Sequence, residues 1–107
     1  MSSQDLHPME DDPFLCYERF RSTYARNRVN RLTLELALDG VSTRIHPATP
    51  ATDADIEVSP SLSVQVTDTG EMLIWKRSAE TLDCVSSTRS VLACVGKLLT
   101  ILEEGAR

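Results

Sequence analysis

Four leucines, Leu32, Leu34, Leu36 and Leu38, alternate with Thr33, Glu35, Ala37 and Asp39. A strict period of two places every second side chain on one face of a strand. The spacing therefore predicts a half-buried strand over 32–38, ended by the turn signal Asp39-Gly40. A second alternation follows at Leu62, Val64 and Val66, with Ser63, Gln65 and Thr67 between them. Asp68-Thr69-Gly70 is a connection of hairpin type, and residues 71–76 (EMLIWK) read as a third strand antiparallel to the second.

Helices are expected at both ends. Asp12-Pro13 supplies a capping oxygen followed by proline at the first helical position. Tyr17, Phe20 and Tyr24 then recur with helical spacing, which predicts a helix over 13–26 closing near Asn27, with these aromatics in the core. From Ser86 or Ser87 onward, Val91, Val95, Leu98 and Leu102 form one stripe, widened by Leu92, Cys94 and Leu99. Residues 78–85 fit either a strand or an early helical turn. Residues 1–11 are acidic and without period and read as a flexible tail. Residues 41–61, holding Pro47, Pro50 and Pro60, read as one long loop. The resulting expectation is a single α+β domain over 12–107. Its order is α-β-β-β-α, a two-layer sandwich with a three-stranded antiparallel sheet under two helices. Such a sheet has two open edges and one uncovered face, which predicts a dimer.

Composition removes several classes of function. The 107 residues carry a formal net charge of −5, with 41 % hydrophobic and 25 % charged residues, so a packed domain is expected rather than a disordered chain. No apolar run approaches the ~20 residues of a membrane span, and the acidic amino terminus is unlike a signal peptide. Cys16, Cys84 and Cys94 are odd in number and lack C-x-x-C spacing, which fits a reduced, cytoplasmic protein. The four glycines are scattered singly, and His7 and His46 lie far apart. The sequence thus contains no phosphate loop, no metal ligand set and no nucleophile beside a base, and predicts no catalytic residue, metal or cofactor.

The element order, together with Phe14-Leu15, Leu32–Leu38 closed by Asp39-Gly40, LSVQVTDTGE at 62–71 and Val85-Ser86-Ser87, resembles the small Alu-domain subunits of the eukaryotic signal recognition particle. The resemblance implies an RNA-binding subunit of a ribonucleoprotein in protein targeting. In that family two homologous subunits join their sheets and grip folded RNA. A second similarity covers MLIWKRSAETLDCVSS at 72–87, which is similar to the pattern of the small dimerising subunit of the KEOPS tRNA-modification complex, where a hairpin feeds a last helix. That resemblance implies a non-enzymatic interaction subunit of a multiprotein complex.

Five arginines and one acid lie between Glu18 and Arg31, a local excess of four positive charges. Arginine forks suit phosphate. Arg26, Arg28, Arg31, Lys76 and Arg77 are therefore the candidate contacts for structured RNA, the alternative being a solvated helix face paired with local acids. Trp75, the single tryptophan, alternates with Met72 and Ile74. Either it faces the open side of the sheet, for a base or a partner, or both faces of its strand are buried. Trp75 and Ile74 are the candidate interface residues. The partner is expected to be a homologous, more basic subunit in a heterodimer, or a second copy of this chain.

Overall fold

The structure is a computed structural model that describes the backbone of residues 13–49 and 52–106, with side chains from Thr23 onward. The acidic tail expected at 1–11, and the core roles expected for Tyr17 and Phe20, lie outside those limits. The chain runs α1 (Pro13–Leu38), β1 (Arg44–His46), β2 (Ala54–Ser59), β3 (Leu62–Val66), β4 (Met72–Arg77), β5 (Leu82–Thr88) and α2 (Val91–Gly105). The strands form one antiparallel meander in the order β1-β2-β3-β4-β5. The sheet has five strands, not the three expected from the sequence.

The largest correction is at 32–38, which is the last two turns of α1 and not a strand. Residues four apart share a face in a helix and also in a strand, so Leu32 and Leu36 satisfy both periods. Of these four leucines Leu32 and Leu36 are fully buried, in line with Ala25 and Val29, whereas Leu34 is 57 % exposed and Leu38 74 %. Leu, Glu and Ala are good helix formers, and the one β-branched residue, Thr33, turns its hydroxyl back onto the Val29 and Asn30 carbonyls. Asp39-Gly40 does end the element, as a helix cap. Gly40 takes φ +82°, its N–H donates to the Ala37 carbonyl and the Val41 N–H to the Leu36 carbonyl. That pair of bonds is the Schellman arrangement.

The expected loop 41–61 contains β1 and β2. Arg44 pairs with Glu57, Ile45 with Ile56 and His46 with Asp55, and β2 continues onto β3 with an irregularity between Glu57 and Ser59. Residues 82–88 are strand, so α2 begins at Val91 rather than at Ser86 or Ser87. Its cap is Ser90, whose side chain accepts from the Ala93 N–H at 3.1 Å.

Ala54, Ile56, Leu62, Val64, Val66, Met72 and Ile74 all point to one side of the sheet. There they close with Val29, Leu32 and Leu36 of α1 and Val91, Cys94, Val95 and Leu98 of α2 into one core. Leu99 and Leu102 are partly buried against it, while Leu92, expected in the stripe, is exposed. The two helices touch each other, α1 over β2 and β3 and α2 over β4 and β5. Among the described residues no helix is long and apolar enough to cross a membrane.

Candidate functional site

With both helices on one side, the pleat sends every alternate side chain to a face that no described element covers. The register fixes which residues share it: Arg44 beside Glu57, His46 beside Asp55, Asp55 beside Gln65, Ser63 beside Trp75, Trp75 beside Cys84 and Arg77 beside Leu82. Trp75 sits on the fourth of five strands, half-buried, with Leu73 two residues before it on the same side. Its indole N–H donates to Gln65 Oε1 at 2.9 Å, and Gln65 Nε2 donates to Asp53 Oδ2 at 2.8 Å. A polar ladder thus ties β4 to β3 and to the start of β2, and it holds the indole ring across the sheet.

The face has two halves. Over β4 and β5 it is mainly apolar, with Leu73, Trp75 and the exposed Leu82 and Cys84, and with Ser87 opposite Leu73 and Arg77 opposite Leu82. Over β1 and β2 it is acidic, with Asp53, Asp55 and Glu57 near Arg44 and His46. His46 Nε2 is 3.4 Å from Glu57 Oε1. Partial burial raises the Asp55 pKa above the ordinary carboxylate value, His46 opposes that shift and Glu57 adds to it. Farther along, Ser87 Oγ donates to Glu71 Oε2 at 2.5 Å. A recess of about 210 Å³ opens on this side, lined among others by Asp55, Glu57, Trp75, Arg77 and Leu82. Among the described residues no group of three or more His, Cys, Asp or Glu is placed to hold a metal ion.

Strand β5 is the long edge of the sheet. Its seven residues include one charge, Asp83, and a register shift opposite Ile74 and Trp75 leaves Val85 as an extra residue. A bulge bends an edge and interrupts its ladder, which is one way sheets discourage edge-to-edge pairing. The uncovered face, not this edge, is therefore the larger regular surface.

The sequence candidates are dispersed. Ile74 points into the core and is fully buried. Trp75 is on the open face, the first of its two sequence readings. Arg28 is committed to Tyr24, donating to its hydroxyl at 2.6 Å with the guanidinium 5.0 Å from the ring centre. Arg31 bonds Glu35 one turn away at 3.3 Å. Both arginines ride on α1, on the opposite side of the sheet from Trp75. Lys76 and Arg77 are exposed neighbours on β4 whose side chains leave opposite sides of the strand. Arg26, Trp75 and Arg77 line one open depression of about 1150 Å³, which Asp53, Asp55 and Asp68 line as well. The residues missed by sequence reasoning are Gln65, Asp55, Glu57, Leu82 and Cys84. Gln65 was within reach, since it and Trp75 both take polar-side positions of one hairpin. No protein family, curated protein or solved structure matches the chain.

Proposed function

We propose that the chain is a non-enzymatic interaction subunit of a larger assembly and receives its partner on the open face of the sheet. The observation that carries this reading is Trp75, whose ring is fixed by Gln65 and Asp53 and bordered by Leu73, Leu82 and Cys84 on a surface that no described element of the chain covers. Exposed apolar groups gathered round an ordered aromatic are the composition of a binding hot spot.

A second reading, RNA binding, draws on Arg26, Lys76 and Arg77, which make no ion pair among the described residues. Their neighbours weigh against it: four carboxylates, Asp53, Asp55, Glu57 and Glu71, share the open face with two guanidiniums, Arg44 and Arg77.

Native mass spectrometry of the tagged chain isolated from its own cells separates the two. The expected result is a protein complex that survives nuclease, is lost in Leu82→Arg, and persists in Leu34→Arg on the far side of the molecule. A complex lost equally in both variants, or lost on nuclease treatment, removes the reading.

A further inference from the structure

The two halves of the open face restrict the chemistry of what covers it. Resting on the interaction-subunit reading, we propose that the occupant is a basic amphipathic helix of a partner protein. Its aliphatic side chains pack on Trp75 and Leu82, and its Lys or Arg side chains reach Asp55 and Glu57.

The spacing follows from the sheet. Glu57 on β2 and Trp75 on β4 are both cross-strand neighbours of Ser63 on β3, so they stand two strand spacings apart. Two spacings are about 10 Å, and two helical turns rise about 10.8 Å. A helix laid across the strands therefore presents residues i and i+7 to the acidic and apolar halves together. Such a helix would complete a three-layer arrangement, with the sheet covered on both sides.

The charge is matched to a cation and not to an anion. Asp55 and Glu57 are adjacent positions on one face of β2, and ionisation of Asp55 is made harder first by its partial burial and then, against the opposing effect of His46, by Glu57. A partner ammonium or guanidinium between them relieves that repulsion, whereas a phosphate adds to it. The whole-chain charge of −5 acts in the same direction at longer range. A second copy of this chain is the competing occupant, since the outer side of α1 carries the exposed Leu34 and Leu38 with Arg31. Because α1 and the open face lie on opposite sides of the sheet, that contact is head-to-tail and does not close as a dimer.

Trp75 is the only tryptophan, so its fluorescence reports occupation of the face directly. The full chain is titrated with three probes free of tryptophan: an 18-residue Leu–Lys helix with its leucines on one side, the same helix with Glu in place of Lys, and a 15-nucleotide single-stranded RNA. Saturable change with the Leu–Lys helix is expected, at least tenfold tighter than with the Leu–Glu helix and abolished by Leu82→Arg. Asp55→Asn with Glu57→Gln should weaken it about fivefold or more, as two partly exposed charge pairs allow. Glu103→Gln with Glu104→Gln, the same change in net charge on α2, should leave it within twofold.

Equal weakening by the two double variants shows unspecific attraction and overturns the proposal. Equal affinity for the Leu–Glu helix, still blocked by Leu82→Arg, overturns the basic partner while the interaction face survives. A response to RNA alone overturns both. Fluorescence that changes on concentrating the chain by itself, together with open-ended association in sedimentation, assigns the face to a second copy.

Discussion

Gly70 lies where the β3–β4 turn meets α1, and replacing it with alanine tests two separable costs. The residue takes φ +90°, and a Cβ at this position would collide with Tyr24 Cε2 and stand 3.0 Å from Cζ. The left-handed backbone alone costs a non-glycine residue ~1–2 kcal/mol. The contact adds more, because carbon atoms rest at ~3.5–4.0 Å and the ring must move aside to restore that distance. Tyr24 does not move freely, since Arg28 holds its hydroxyl at 2.6 Å and covers its ring. Forced overpacking of this kind costs ~1–3 kcal/mol, so Gly70→Ala should destabilise by ~2–5 kcal/mol in all. Gly40 is the internal control, with φ +82° and no atom within 4 Å of where an alanine methyl would sit. Gly40→Ala should therefore carry the backbone cost only, ~1–2 kcal/mol. Urea unfolding reads both differences at constant m, and thermal unfolding should show ~4–8 °C for each kcal/mol. Gly70→Ala combined with Tyr24→Ala should fall well short of the sum of the single losses, because the collision is gone. Equal losses at the two glycines, or simple additivity with Tyr24→Ala, would refute the steric argument.

Leu36→Ala should cost ~2–5 kcal/mol and Leu34→Ala less than ~0.5 kcal/mol in the same unfolding assay, since the first empties the core and the second sits in water. In a Cys16→Ser background, Cys84 should react with a thiol reagent at pH 8 without unfolding. Cys94, buried and with its pKa pushed up to about 11, should react only on denaturation. Ser90→Ala should lower stability by ~1 kcal/mol through loss of the α2 cap, with Ser90→Asp retaining most of it. Because the native Asp55 pKa lies above its unfolded value, its ionisation disfavours the fold. Its contribution to stability therefore falls as pH rises from the unfolded value of 3.8 through the native pKa, and Asp55→Asn should not lower the melting temperature at pH 7.

The β3–β4 hairpin was legible because two independent signals agree there. Leu62, Val64 and Val66 alternate with polar residues, and Asp68-Thr69-Gly70 gives the turn its positive φ at Gly70. The same agreement fails in β2. Ile56 and Val58 alternate with Asp55 and Glu57, a period of two, but acidic residues disfavour strands and the prolines on either side suggest a loop. What brings β2 into the sheet is pairing with β3, a non-local gain that no window on the sequence contains. In β5 the alternation is hidden by the extra residue Val85, and most of the strand is exposed, so its pattern carries little burial to read.

The dispersal of the basic residues has the same origin as the misplaced strand. If a helix ends near Asn27, then Arg28 and Arg31 lie in a connection free to gather with Arg26 at one end of the sheet. Once the backbone stays helical to Leu38, each residue turns about 100° from the last, and Arg26 and Arg28 leave the axis about 200° apart. A charge cluster in sequence then becomes a belt, with Arg28 drawn onto Tyr24 and Arg31 onto Glu35. Alternating leucines decide between these outcomes only through residues other than leucine, because the i, i+4 pair belongs to both periods. Glu35 and Ala37 prefer the helix, and the core accepts Leu32 and Leu36 while leaving Leu34 and Leu38 outside. Trp75 escapes this ambiguity. Its neighbours Met72 and Ile74 are held inward by a hairpin of known register, so parity sends the indole to the uncovered face whichever way α1 is read. Trp75 and Gln65 therefore rest on the part of the chain where sequence period and strand pairing agree, whereas Asp55 and Glu57 on β2 and Leu82 and Cys84 on β5 stand on strands whose period the sequence hides.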